Sequence, residues 1–114
     1  MEARAEAKYV RISPRKVNYI CKEIRGKGVD EALTFLQFTP KKGARILHEV
    51  LQSAIANAEN NLGLNRDVLV VGNCWANDGP TMKRWRPKAK GAAYPILKRT
   101  AHVGVIVKEK EEDR

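Results

Sequence analysis

Residues 79–102, "GPTMKRWRPKAKGAAYPILKRTAH", hold seven Lys or Arg side chains, three prolines and no carboxylate. A segment like this cannot be buried, because each cation would lose its hydration with no acid nearby to compensate. It is flanked by two apolar, β-branched stretches, "DVLVVGNCWA" (67–76) and "AHVGVIV" (101–107), which read as strands. If these strands pair antiparallel, the chain between them must leave the sheet and come back. A structureless loop of that length is uncommon in a compact domain. A hairpin satisfies its backbone better. Turning near Pro87–Gly91, it would form an arm on the order of 30 Å long. A two-stranded ribbon is marginal alone in water and these cations repel one another, so the arm is expected to order around a polyanion.

The remaining sequence reads as a folded base for that arm. Residues 3–12, "ARAEAKYVRI", alternate small or apolar with charged residues and predict a strand that completes the small sheet. Ser13 is the expected N-cap of a helix with Pro14 at its first position, closed by Gly26 and Gly28. Its apolar stripe is Val17, Ile20, Cys21 and Ile24; Arg15, Asn18, Lys22 and Arg25 fall on the opposite, cationic side. "VDEALTFLQF" (29–38) predicts a short helix packed through Ala32, Leu33, Leu36 and Phe35, with Asp30 and Glu31 suited to its N-terminus. Thr39 and Pro40 signal the start of a longer helix and Gly63 its stop. That helix presents Leu47, Leu51, Ala54, Ile55, Ala58 and Leu62 along one face. The expected class is α+β: three helices packed on a small three-stranded antiparallel sheet, with a long protruding β-hairpin. Residues 1–108 form one domain, with the arm at about 77–101, and 109–114 form a charged tail.

A formal net charge of +9 on 114 residues points to a polyanionic partner. Residues 8–28 carry seven basic side chains against Glu23, and 78–102 carry seven against Asp78. Between them, four basic and five acidic residues nearly cancel. The excess charge is thus a footprint in two blocks, the pattern of a nucleic-acid binder. In the arm, Lys83, Arg84, Arg86, Lys88, Lys90, Lys98 and Arg99 are candidate phosphate contacts, and Trp85 and Tyr94 can stack on exposed bases. In the first block the candidates are Arg11, Arg15, Lys16, Lys22, Arg25 and Lys27.

Other chemistries lack their residues. His48 and His102 have no spaced Cys, His or carboxylate companions for a metal, and His102 is read as an RNA contact. There is no GxxxxGK[ST] loop or GxGxxG fingerprint, and Ser13 and Ser53 have no adjacent base. No enzyme activity, metal or cofactor is expected. No stretch approaches the roughly 18 apolar residues of a membrane span, and no secretory signal opens the chain. Cys21 and Cys74 lie in apolar segments without a CxxC partner and read as reduced, buried thiols. Two rival classes remain: a dimeric architectural binder using the arm as a β-ribbon, and an enzyme working through Cys74 or His102.

Seven stretches then carry a resemblance: "ISPRKV" (12–17), "IRGK" (24–27), "EAL" (31–33), "PKKGA" (40–44), "SAIANAENN" (53–61), "DGPTMKRWRPKAKGAA" (78–93) and "KRTAH" (98–102). In this order they resemble the bacterial form of the universal ribosomal-protein family twenty-two of the large subunit, over nearly all of residues 4–108. The resemblance implies a cytoplasmic ribosomal protein that binds several domains of large-subunit rRNA during early assembly, beside neighbouring ribosomal proteins. It also implies that the hairpin helps line the exit tunnel, with its tip near the nascent peptide. No homo-oligomer and no membrane partner are implied. By position, the "SPRKV" helix start becomes an rRNA contact and Lys41 and Lys42 further phosphate contacts. Asn57 reads either as an RNA-facing residue or as a plain polar-face one. Ala92 stands where the family commonly carries Arg.

Overall fold

The computed structural model describes the backbone of residues 2–79, 82–87 and 93–110, and the side chains of 2–79 and 99–110. Strand β1 (Glu2–Val10) leads to helices α1 (Pro14–Ile24), α2 (Val29–Gln37) and α3 (Lys42–Leu62), then a 3₁₀ turn at Arg66–Val68. Strands β2 (Leu69–Asp78), β3 (Met82–Pro87), β4 (Ala93–Lys98) and β5 (Ala101–Glu109) follow. The class is α+β, as the sequence implied. One antiparallel sheet has the order β1-β5-β2; β3 and β4 form a second, two-stranded ribbon.

Strand β5 is central because its alternation is the most apolar: Ala101, Val103, Val105 and Val107 are all fully buried. Opposite them stand Ala3, Ala5 and Ala7 of β1 and Val71, Cys74 and Ala76 of β2. Alanines on β1 leave room for α3 to lie close against that side of the sheet, while α1 packs on β2 and α2 on α3. The stripe of α1 is buried as predicted, as are Ala32, Leu33 and Leu36 of α2. Pro14 takes the first helical position and Ser13 the N-cap position, although the Ser13 hydroxyl makes no capping bond.

Four expectations are corrected. Helix α3 begins at Lys42 with Lys41 as N-cap; Thr39 instead donates its hydroxyl to the Phe35 carbonyl (2.7 Å), closing α2. Leu62 is 36% exposed. Gly63 turns the chain at φ 65°, and Leu64 packs on the core in place of Leu62 while its N–H reaches the Ala58 carbonyl at 3.1 Å. The Gly63 N–H is directed to the same carbonyl, and the left-handed stop brings the residue after the glycine back onto the helix. Strand β1 ends at Val10, two residues short of the expected bound, and its register with β5 slips between Ala7 and Val10, with Tyr9 at φ 57°. Finally, β5 runs on past the expected 101–107 through Lys108 and Glu109, which stand opposite Val70 and Leu69.

The free edge of β2 explains a fifth difference. Edge strands present unpaired backbone groups that need cover. Val71 exchanges bonds with the 26–28 turn, its N–H to Lys27 C=O and its C=O from Gly26 N–H, both 2.9 Å. Further along, the Asn18 side chain binds both groups of Ala76, accepting from its N–H (3.0 Å) and donating to its C=O (3.1 Å). Arg25 donates Nε and Nη2 to the Cys74 carbonyl at 3.1 and 2.7 Å. Asn18 and Arg25, expected on the cationic outer side, thus serve the strand edge.

On the outer face of the sheet, Trp75 lies across Gly104, its partner in register. A Cβ at Gly104 would overlap the indole. Arg4 covers the ring from β1, 5.2 Å from its centroid, and also pairs with Glu6. Trp75 is therefore a packing residue here.

The arm follows β2 and precedes β5 in the chain. Asp78 pairs with Ala101, Gly79 N–H donates to Thr100 C=O at 3.0 Å, and the ribbon runs from Met82↔Lys98 to Pro87↔Ala93. The turn expected near residues 87–91 lies largely outside the described residues. Projection of the ribbon makes the molecule 69 × 25 × 22 Å with a radius of gyration of 17.5 Å. A compact chain of this length would have about 13 Å.

Candidate nucleic-acid interface

The two basic blocks meet at the root of the arm. Arg15 and Lys22 lie two turns apart on one face of α1, so both point the same way. Arg99, exposed between β4 and β5, completes a cleft of about 490 Å³ whose floor includes Asn18, Ala76 and Asn77. Asp78 is its one acid. The Asn18–Ala76 bonds hold α1 against β2 at this point, so they set the cleft's width.

A second cleft, about 630 Å³, opens on the other side of the α1 N-terminus. Arg11 and Lys16 line it from the segment around α1, and Lys41 and Lys42 from the start of α3. The Lys42 ammonium donates to the Arg11 carbonyl at 2.7 Å, tying the two walls together. Ser13 and Tyr19 line both clefts. Tyr19, 59% exposed, is the ridge between them, and the Lys22 ammonium sits 5.7 Å from its ring.

Electrostatically, these cations are unspent. Among the described residues the ion pairs are Arg4–Glu6 and Arg66–Asp30, and no predicted contact takes part in either. A polyanion entering the clefts would not have to displace an acidic partner from any of them. No group of three or more metal-ligating side chains occurs among the described residues, and no described helix is long and apolar enough to cross a membrane.

The sequence profile described as Ribosomal protein L22p/L17e matches residues 5–108. Among similar proteins, the Large ribosomal subunit protein uL22 of Finegoldia magna is 73% identical over 111 residues, covering 97% of this chain and 99% of its own. The protein of the same name from Thermoanaerobacter sp. is 61% identical over 97% of this chain and 100% of its own. That of Clostridium novyi is 54% identical over 96% and 99%. The chain belongs to the ribosomal protein L22p/L17e family. It is a structural ribosomal protein and not an enzyme.

Within this family member, several predicted contacts lie apart from the clefts. Arg25 is held by the Cys74 carbonyl, and Lys27 lies over the Phe35 ring at 4.7 Å. His102 is on the sheet's outer face, where its Nδ1 accepts the Tyr9 N–H at 3.2 Å and its ring meets Tyr9 edge-on at 4.9 Å. That bond requires an unprotonated Nδ1. Asn57 donates to the Arg4 carbonyl at 3.0 Å and fastens α3 to β1, a structural duty. Along the ribbon, Lys83, Arg84, Trp85 and Arg86 are β3 positions opposite Leu97, Ile96, Pro95 and Tyr94, and Lys98 faces Met82. Lys88 and Lys90 lie outside the described residues.

Tyr19 and Tyr9 (64% exposed) were missed by sequence reasoning. For Tyr19 a signal existed: it falls at i+3 from Lys16, i+4 from Arg15 and i−3 from Lys22, the spacing that groups side chains on one helical face. For Tyr9 none did, since its exposure comes from the β1 irregularity.

Proposed function

We propose that this structural protein of the large ribosomal subunit binds large-subunit rRNA through the two clefts and the arm together. The carrying observation is the convergence of Arg15, Lys22 and Arg99 at the arm's root, with Arg11, Lys16, Lys41 and Lys42 across the Tyr19 ridge. Phosphates replace water and counterions around these side chains, so binding is driven by ion release and is strongly salt-dependent. Neither cleft recognises a small molecule: both are open and ringed by cations on flexible stems. The arm extends the same charge away from the core, with Lys83, Arg84, Arg86, Lys88, Lys90 and Lys98 meeting further phosphates and Trp85 and Tyr94 stacking on bases.

An elongated molecule with a charged root and arm can hold separate rRNA segments at fixed distance, which suits an early role in subunit assembly. In the same reading the core rests beside neighbouring ribosomal proteins, and the arm helps line the nascent-peptide tunnel with its tip near the peptide. Residues 1–108 act as one domain.

The test is binding to large-subunit rRNA fragments across a salt series, with duplex DNA and unrelated RNA as competitors. A version lacking the arm is built by joining Gly79 to Thr100 through Asn-Gly. These two residues already pair across the arm's root, so a two-residue turn closes the sheet without strain. The expected result is preference for the rRNA, with a shallower salt slope when the arm is removed. Equal affinity for all three polyanions, or an unchanged slope, would overturn the reading.

A further inference from the structure

The buried cysteines are the one reactive pair that the interface does not use. Cys21 on α1 and Cys74 on β2 are both fully buried, and their Sγ atoms stand 2.6 Å apart. A disulfide needs about 2.05 Å, so the sulfurs have to close by only about half an ångström. The helix–strand seam is fixed on either side of them, by Asn18 on Ala76 and by Arg25 on the Cys74 carbonyl. The two sulfurs therefore face each other across a seam that is already closed.

We infer that Cys21 and Cys74 form an oxidisable dithiol whose disulfide staples α1 to β2 beside the root of the arm. The inference stands independently of the rRNA reading. The reaction partner is a low-molecular-weight disulfide, such as oxidised glutathione. The Cys21 thiolate attacks one sulfur of that disulfide and expels a thiolate, leaving a mixed disulfide on Cys21. Cys74 then loses its proton and attacks the Cys21 sulfur, expelling the second thiolate. Two electrons pass from the cysteines to the reagent, and their two protons end on the two released thiols. Geometry and charge agree on this order. The hydrogen bond from Cys74 holds the Cys21 thiol below its usual range against the opposing effect of burial, with the Arg25 charge assisting. The same bond, with burial, pushes Cys74 up. Burial also keeps the reagent out of the closed seam, so the exchange proceeds through local opening or during folding.

The experiment uses the full chain, incubated reduced in graded ratios of oxidised to reduced glutathione. One set is incubated folded, and one is carried through denaturant and refolding so that burial cannot hide the thiols. Free thiols are then alkylated under denaturing conditions and the intact mass measured. The expected product is a monomer about 2 Da lighter that takes no alkyl group, with a single cross-linked peptide joining the segments around Cys21 and Cys74. Cys21→Ser and Cys74→Ser should each abolish it. The closed loop spans more than fifty residues, so the midpoint of thermal unfolding should rise on the order of 10 °C and fall back on adding reductant. Two alkylated thiols after refolding in the most oxidising mixture would overturn the inference. So would a stable glutathione adduct without ring closure, an intermolecular dimer, or an oxidised form that melts no higher than the reduced one.

Discussion

Replacing Asn18 by alanine should weaken the fold and the interface together. In the structure its carboxamide makes two bonds to one residue, Ala76, at 3.0 and 3.1 Å, and both are partly buried. Each such bond contributes about 1 kcal/mol net, and leaving a shielded backbone N–H and C=O without partners adds a further penalty. Some water will reach the gap, so the expected loss is about 2–3 kcal/mol. With an unfolding entropy of about 2.1 cal/mol/K per residue, that lowers the melting midpoint by roughly 10 °C. Urea unfolding and calorimetry would measure it. Asn18→Asp sharpens the test. The carboxylate still accepts from the Ala76 N–H but sets a charged oxygen against the Ala76 carbonyl, whereas the protonated acid can donate to it. Its folded-state pKa is therefore raised. A raised pKa contributes stability that is present below the unfolded value, about 3.9, and lost as pH rises through the folded value. The deficit against wild type should be full at neutral pH and shrink in acid. A change below about 0.5 kcal/mol for Asn18→Ala, within the scatter of ordinary surface substitutions, would refute the argument that this side chain seals the edge of β2.

Further outcomes follow from the same geometry. Changing Arg15, Lys22 and Arg99 together to Gln should flatten the salt dependence of rRNA binding by roughly two to three counterions without altering the melting point. Tyr19→Ala should weaken rRNA binding by about 1–3 kcal/mol if a base stacks on the ridge, with Tyr19→Phe retaining most of the affinity; equal losses would argue for the hydroxyl instead. Gly104→Val should displace Trp75 from the sheet and cost about 1–3 kcal/mol, seen as a red shift of Trp75 emission in a Trp85→Phe background. Leu51→Ala, which empties a fully buried position on α3, should cost about 2–5 kcal/mol by denaturant unfolding.

Much of this molecule is written locally. The stripe Val17, Ile20, Cys21, Ile24, the glycine stop at Gly63 and the valine alternation of 101–107 each follow from the chain's own neighbours, through helical or strand periodicity. So does the departure of the acid-free segment from the core, since burial without counter-charges is prohibitive. The order of strands, the edge of β2 and the exposure of individual side chains are not local quantities. Asn18 and Arg25 read as solvent-facing because their helix positions oppose the apolar stripe; only the arrival of β2, more than forty residues later, gives their donors and acceptors a partner. Leu62 fits a helical stripe, yet Leu64 takes its place once Gly63 has turned the chain. The pairing of Cys21 with Cys74, and the meeting of Arg15 and Lys22 with Arg99, likewise arise across long sequence separations. The sequence alone determined that there would be a cationic arm on an α+β base. Which cations share a cleft was decided by the tertiary structure, because that depends on where the backbone's unsatisfied groups find their partners.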